Sequence, residues 1–301
     1  MPSGKTILTR IVFGAIMTAA MAGVLAVEHY EPWPAMLDMR GLPLAIVIVV
    51  LCVMGLREFG RMALAAGAGL LPVSGTIGTL LVATQPIWHK FVPMDFVLWN
   101  DFRPLNFTLM MTVGDAWCML GLIVGGVFLE QMIRHRLEAA IARVGATLLA
   151  VAYLGVGAAV VLAIRVDNGV PALILFLAAV KCADIGAYFT GSAIGRHKLI
   201  PWLSPGKSWE GLFGGLAAAA GAGVLAAWLF GMRMPIAWAA GFGCLVGAVG
   251  QFADLCESLL KRSAGIKDSG ALVPEFGGVL DVLDSPLLAG PAAYVLLNVL
   301  M

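Results

Sequence analysis

The side chains best suited to chemistry lie in a polar run near the end of the chain, residues 254–285, between two apolar segments. Asp254 and Glu257 are three residues apart, so a helix places them on one face, and Asp281 and Asp284 repeat this spacing further along. Carboxylate oxygens, together with substrate phosphates, are the usual ligands of Mg²⁺. The two pairs could therefore converge on a divalent metal ion. The alternative is a solvated loop whose carboxylates, such as that of Asp281, only cap helices.

Basic residues and a hydroxyl accompany these carboxylates. Ser258 and Lys261 extend the helix face that carries Asp254, and Arg262 and Lys267 follow them in the chain. Such cations can bind phosphate oxygens that a metal ion leaves free. This combination is typical of phosphoryl or nucleotidyl transfer, in which catalysis consists mostly of positioning and charge neutralisation.

A second polar stretch, residues 181–211, begins inside a predicted helix. Lys181, Asp184 and Tyr188 lie three and four residues apart and share one helix face. Lys181 and Asp184 could simply neutralise each other one turn apart. The polar residues that follow them favour a functional site.

Those following residues include the segment 204–208, SPGKS, which stands directly before a predicted helix. Free backbone N–H groups at a helix start, the hydroxyls of Ser204 and Ser208, and the charge of Lys207 are what an anion site needs. The segment is not a Walker A loop, because Pro201 occupies the position of its first glycine. The segment predicts a phosphate-bearing ligand, while the alternative for Lys207 is an anchor at the membrane surface.

Composition indicates the class of protein. Hydrophobic residues make up 60% of the 301 residues and charged residues only 12%, about half the usual charged share of soluble proteins. The net charge of +1 lacks the basic surplus of a nucleic-acid-binding protein. The five cysteines form no CxxC pair, which argues against a disulfide framework or a zinc site. The chain is predicted to reside in a lipid bilayer.

We predict an all-α integral membrane protein, a polytopic bundle of about nine transmembrane helices, since a spanning helix needs about 20 apolar residues. The predicted helices are 8–27, 42–56, 63–87, 106–130, 144–164, 169–190, 211–231, 234–252 and 285–301. The Ala/Gly-rich stretch 214–227 predicts close helix packing.

The distribution of Lys and Arg predicts the orientation. With a cytoplasmic N-terminus, 13 of the 19 basic residues fall in cytoplasmic segments and 5 on the opposite side, with Lys181 inside a helix. This bias follows the positive-inside rule. The position of the polar motifs divides the chain into N-terminal transmembrane helices, residues 1–165, and a C-terminal transmembrane catalytic region, residues 166–301. Both motif loops of that region, 191–210 and 253–284, are then cytoplasmic.

The spacing of these motifs over residues 181–288 resembles the signature of the phosphatidate cytidylyltransferase family, the CDP-diacylglycerol synthases. The matching patterns are Gly250-x-x-x-Asp254-x-x-Glu257-Ser258-x-x-Lys261-Arg262, Lys267-Asp268, Gly277-Gly278-x-x-Asp281-x-x-Asp284-Ser285, Asp184-x-x-Ala187-Tyr188-x-x-Gly191-x-x-x-Gly195, and Ser204-Pro205-x-Lys207-Ser208-x-Glu210-Gly211. Residues 1–165 match only in being hydrophobic helices.

The resemblance implies a reaction in which CTP and phosphatidate give CDP-diacylglycerol and pyrophosphate, in a cytoplasm-facing polar cavity of the inner or plasma membrane. It implies a requirement for Mg²⁺, with a second cation as an option. The implied metal ligands are Asp254, Asp281 and Asp284. The implied catalytic residues are Lys207, Asp254, Ser258, Lys261, Lys267 and Asp281. The implied substrate-binding residues are Asp184, Tyr188, Ser204, Lys207, Ser208, Arg262 and Asp268.

The sequence departs from the family pattern in the loop before the last helix. Glu275 and Phe276 stand where the family has Gly and His, and Val282 stands where it has Arg. Phe cannot donate a hydrogen bond and Val cannot bind phosphate. One alternative is therefore a divergent or inactive family member. Another is a transporter of an anionic lipid or ion, for which the broken polar helix segments near the membrane would be the binding site. A homodimer is one assembly that the sequence allows.

Overall fold

The computed structural model describes residues 41–91, 107–270 and 277–300, together with residues 23, 24 and 26. These ranges form helices connected by short turns, with one small β-hairpin. The helices are α1 (Leu42–Ala65), α2 (Pro72–Phe91), α3 (Phe107–Glu130), α4 (Ala140–Ala150), α5 (Gly157–Ile194), α6 (Trp209–Leu229), α7 (Ile236–Ser263) and α8 (Leu280–Leu300). Two π-helical segments, Gln131–His135 and Val151–Val156, follow α3 and α4, and strands β1 (Lys198–Ile200) and β2 (Ser204–Ser208) precede α6.

Six helical stretches in the described part of the chain are long and apolar enough to cross a membrane. The protein is therefore a predominantly helical, multi-pass membrane protein, as the sequence predicts. The predicted helix 8–27 lies outside the described residues except for residues 23, 24 and 26, which are helical. Within the bilayer a helix satisfies its own backbone hydrogen bonds, so the apolar segments fold in this way.

The first two helices after residue 40 have different boundaries from those predicted. α1 does not end at residue 56 but continues to Ala65, and α2 begins at Pro72 rather than at residue 63. The turn between them contains Gly67 at φ +80°, a conformation that glycine adopts readily. Hydropathy located both helices but could not locate the turn, because apolar residues continue through it.

The predicted helices 144–164 and 169–190 lie in one helical run that reverses direction at Gly169. This residue has non-helical angles, φ 86° and ψ 178°. Before it, a Cβ on Gly157 would meet Leu287 of α8, and Asp167 accepts a hydrogen bond from Tyr294. After it, Lys181 reaches back to the carbonyl of Val282. The two halves of α5 therefore run in opposite directions along α8, as two separate predicted spans require.

Polar residues extend the helices that flank the second motif loop. α7 continues beyond the predicted end at residue 252 to Ser263, and α8 begins at Leu280 rather than at residue 285. Lys261 donates to Glu257 one turn earlier at 2.8 Å, an i,i+4 pair that stabilises the polar end of α7. The apolar pattern ends before the helix does, so much of the predicted loop 253–284 is helical.

The first motif loop is an antiparallel hairpin rather than irregular chain. β1 pairs with β2 through Lys198 with Ser208 and Ile200 with Ser204. The described fold is thus not entirely α-helical. Leu203 is buried in the connection between the strands. At the other end of the hairpin, Ser208 lies against Gly191 and Gly195 at the end of α5.

Small residues allow α6 to pack tightly between α5 and α7. A Cβ on Gly215 would collide with the carbonyl of Ala183 in α5, and one on Gly223 would collide with the carbonyl of Ala239 in α7. Such contacts let helix backbones approach closely in a membrane. The ends of α5 and α7, which carry the two motifs, are consequently held beside each other.

Candidate functional site

Three carboxylates from α7 and α8 form the centre of the site. Oxygen atoms of Asp254, Glu257 and Asp284 lie within 4.8 Å of one another. Asp254 and Glu257 share a face of α7 because they are one turn apart. Glu257 Oε1 is buried and has no hydrogen-bond partner in the described structure. A buried carboxylate oxygen without a partner is costly, and an all-oxygen donor set is the kind that Mg²⁺ binds, so this group fits a divalent cation.

Lys261 connects this group to Asp281. Its ammonium lies 2.8 Å from Glu257 Oε2 and 2.7 Å from Asp281 Oδ1. The other oxygen of Asp281 accepts from the backbone N–H groups of Gly278, at 2.5 Å, and Ser269, at 3.2 Å. The structure therefore gives the predicted ligand Asp281 a lysine and loop donors as partners. Glu257, which the spacing grouped with the other carboxylates but which is not among the ligands that the resemblance implies, lies with Asp254 and Asp284.

Lys207 of the hairpin brings the two motif stretches into contact. Its ammonium lies 2.5 Å from Asp254 Oδ2 and donates to the carbonyl of Gln251 at 3.0 Å. The side-chain amide of Gln251 in turn donates to Asp184 at 3.0 Å. Lys181 lies 3.9 Å from Asp184. Cations and carboxylates of α5, β2 and α7 thus form one polar network.

Two local interactions hold Lys207 in this place. Ser208 is the N-cap of α6, where its hydroxyl accepts from the N–H of Gly211 at 3.1 Å. His197, before β1, lies with Nδ1 2.7 Å from Glu210, and its backbone N–H donates to the same carboxylate at 3.2 Å. These contacts fasten both ends of the hairpin to the start of α6.

Glu58 of α1 holds the loop before α8 from the other side. This carboxylate is fully buried and accepts from the N–H groups of Val279 at 3.0 Å and Leu280 at 2.9 Å. The hydroxyl of Ser269 lies 3.1 Å from Glu58 Oε2 and 3.0 Å from Asp281 Oδ2. A Cβ on Gly278 would collide with the side chains of Ser269 and Glu58, so both would have to shift to admit any other residue.

The remaining predicted site residues lie around this network without a described contact to its carboxylates. Tyr188 is 63% exposed and its ring contacts Phe189 at 5.7 Å. Ser204 and Ser258 are half-buried, and Arg262, Lys267 and Asp268 are exposed near the end of α7 and in the following loop. Of the family departures, Glu275 and Phe276 lie outside the described residues, and the carbonyl of Val282 accepts from Lys181 at 3.0 Å.

Sequence reasoning missed three polar residues that organise the site. Glu58, Gln251 and Ser269 are all buried. A polar side chain inside an apolar helix is expected to find a partner or a functional role. That signal was present for Gln251, in the predicted helix 234–252, whereas Glu58 fell in the predicted connection between helices 42–56 and 63–87. Nothing in the spacing connected Glu58 to a loop more than 200 residues away.

Comparison with known proteins agrees with the motifs. A sequence model described as the Cytidylyltransferase family matches residues 8–300. A protein of Synechocystis sp. named phosphatidate cytidylyltransferase is 31% identical over 277 residues, 89% of this chain and 92% of the relative. A relative of the same name from Pseudomonas aeruginosa is 47% identical over 116 residues, which is 38% of this chain and 43% of the relative. Another from Brucella suis is 40% identical over 146 residues, which is 48% of this chain and 53% of the relative. The family model matches nearly the whole length of the chain, and the motif spacing and the polar network at the converging helix ends agree with it. This chain therefore belongs to the cytidylyltransferase family.

Proposed function

We propose that the protein transfers the cytidylyl group of CTP to phosphatidate, giving CDP-diacylglycerol and pyrophosphate. Membership of the cytidylyltransferase family and the name shared by its relatives support this activity. The observation that carries it is the contact between Lys207 and Asp254, which joins the hairpin that carries Lys207 to a group of carboxylates. Phosphate groups and a divalent cation can be bound together only where such groups meet.

In the proposed reaction, a phosphate oxygen of phosphatidate attacks the α-phosphorus of CTP. A new P–O bond forms, the bond between the α-phosphorus and the bridging oxygen breaks, and pyrophosphate leaves with that oxygen. Lys207 and Lys181 lie where they can bind phosphate oxygens and offset the negative charge that develops. The reaction requires no covalent intermediate with the protein.

We further propose that Asp254, Glu257 and Asp284 hold Mg²⁺. When bound, the ion would neutralise phosphate charge and orient the phosphate groups. Lys261 directs the carboxylate of Glu257 by its 2.8 Å contact, and Asp281 orients Lys261. Asp281 would therefore act as a partner of the lysine, unlike the ligand role that the sequence suggested.

The membrane arrangement is also part of the proposal. The 13-to-5 bias of basic residues supports a location in the inner or plasma membrane with the N-terminus and both motifs cytoplasmic. The apolar segments support about nine spanning helices, including 8–27, around a cavity that opens to the cytoplasm. A homodimer is a further proposal, tested by measuring the mass of the purified protein in detergent.

The decisive experiment is an assay of purified protein with radiolabelled CTP and phosphatidate, with Mg²⁺ and with a chelator. We expect a labelled CDP-lipid and pyrophosphate in equal amounts, only when Mg²⁺ is present. Asp254→Asn should abolish product, whereas Arg233→Gln, in the turn between α6 and α7, should not. If the folded wild-type protein makes no CDP-lipid, the proposed cytidylyltransferase activity is refuted. Uptake of an anionic lipid into vesicles under the same conditions would instead support a transporter.

A further inference from the structure

Glu58 stands apart from the residues that either motif contains. It lies in α1, outside the motifs of residues 181–288. Yet its carboxylate is fully buried and accepts hydrogen bonds from the backbone N–H groups of Leu280, the first residue of α8, and of Val279 before it. Carboxylates stabilise helix N-termini because they satisfy free N–H groups and oppose the positive end of the helix dipole.

The loop backbone closes directly around this carboxylate. A Cβ on either Gly270 or Gly278 would collide with Glu58. Ser269 lies between the carboxylates of Glu58 and Asp281 and can donate its one hydroxyl proton to either. The position of Glu58 therefore determines where the backbone and hydroxyl donors meet Asp281.

From Asp281 the connection continues to the centre of the site. Asp281 and Glu257 are the two carboxylates that Lys261 contacts. If Asp281 moves away, Lys261 is left with Glu257 alone and competes more strongly with any cation that this carboxylate binds. An interaction made in α1 can thereby change cation binding in α7.

We infer that Glu58 is a positioning residue of the site, which sets the orientation of Asp281 and, through Lys261, the availability of Glu257 for Mg²⁺. This inference rests on the proposed function for its consequence in catalysis. Its consequence for cation binding can be measured without substrates. The loss of an outer partner of a metal ligand typically lowers metal affinity or activity about 10- to 100-fold.

The chain offers a matched control for a purely structural role. Glu130 is likewise buried and accepts from the first N–H groups of a helix, those of Val73 at 3.2 Å and Ser74 at 2.6 Å, at the start of α2. In the described structure it has no contact with the three central carboxylates. Glu58→Gln and Glu130→Gln therefore remove the same kind of helix cap, but only Glu58→Gln affects the loop that holds Asp281.

The test measures two Mg²⁺ concentrations for each purified variant. The first gives half-maximal activity, and the second, measured without substrates, gives half of the maximal rise in melting temperature. We expect Glu58→Gln and Ser269→Ala to raise both half-maximal Mg²⁺ concentrations about 10-fold or more. Glu130→Gln should lower the melting temperature in the absence of Mg²⁺ but leave the Mg²⁺ concentrations unchanged.

Equal Mg²⁺ dependence in wild type, Glu58→Gln and Ser269→Ala would overturn the inference, as would an equal change in Glu130→Gln. If Glu58→Gln fails to fold, Ser269→Ala decides alone, because it removes only the hydroxyl between the two carboxylates. An inactive wild type that still binds Mg²⁺ refutes the proposed function, and the melting experiment then still tests the role of Glu58.

Discussion

Replacing Lys261 by methionine should destabilise the protein far more than the same replacement at Lys207. Both lysines pair with carboxylates, but their surroundings differ. The side chains of the two lysines are similarly exposed, 12% for Lys261 and 16% for Lys207, but their partners differ: Glu257 is 2% and Asp281 10% exposed, whereas Asp254 is 36% exposed. Methionine keeps most of the apolar stem and removes the charge in each case.

The expected magnitude follows from what each lysine leaves behind. Removing one member of a buried ion pair costs about 3–5 kcal/mol, because the remaining charge stays buried without compensation. Asp281 keeps its N–H donors from Gly278 and Ser269, so most of this cost falls on Glu257. The pair of Lys207 and Asp254 is open to solvent on one side and is worth about 1 kcal/mol or less.

The assay is thermal unfolding of the purified variants in one detergent, at one scan rate, with a chelator present to remove divalent cations. At roughly 2 °C per kcal/mol, Lys261→Met should lower the melting temperature by about 6–10 °C and Lys207→Met by about 2 °C or less. Adding Glu257→Gln to Lys261→Met should restore part of the loss, since it removes the uncompensated charge. Equal shifts in the two lysine variants, or no recovery in the double variant, would refute the assignment of Lys261 as a buried bridge.

Two further predictions concern the carboxylates and the loop. Glu257→Gln should raise the Mg²⁺ concentration for half-maximal activity about 100-fold or more, against about 10-fold for Asp281→Asn, because of these two only Glu257 belongs to the central group. The measurement is a Mg²⁺ titration of each variant. A larger effect of Asp281→Asn than of Glu257→Gln would restore Asp281 as the ligand. Gly278→Ala should abolish activity and lower the melting temperature, since its Cβ would collide with Ser269 and Glu58, whereas Gly125→Ala, which has open space, should change neither; an active Gly278→Ala protein would contradict the described loop geometry.

Patterns local in sequence predicted the helices and much of the site. Apolar segments located the membrane helices because the bilayer selects for hydropathy over about 20 residues. The i,i+3 spacing placed Asp254 and Glu257 on one face of a helix, and the structure has them there. Their charges also made α7 longer than hydropathy suggested, because Lys261 stabilises the end of the helix by pairing with Glu257.

Contacts distant in sequence could not be predicted in the same way. No spacing rule specifies that Lys207 meets Asp254 rather than Asp284, or that Asp281 binds Lys261 and the loop. Those choices depend on how closely α5, α6 and α7 pack and on the reversal at Gly169. The hairpin was missed for a related reason, since its strands are too short to produce an alternating pattern.

The arrangement of charges explains why the polar network is compatible with a membrane protein. Glu58, Glu257 and Asp284 are buried carboxylates on three different helices, and each would be strongly unfavourable alone. Glu58 is stabilised by N–H groups of α8, a contact that exists only when α1 and α8 are assembled. Glu257 is stabilised by Lys261 of its own helix, which also contacts Asp281 once α7 and α8 are assembled. Assembly of the bundle and formation of the site are therefore the same process. Because Glu257 retains one oxygen without a partner, the assembled site still gains by binding a cation. On this argument Mg²⁺ should stabilise the folded protein even without nucleotide or lipid, by an amount that rises with its concentration.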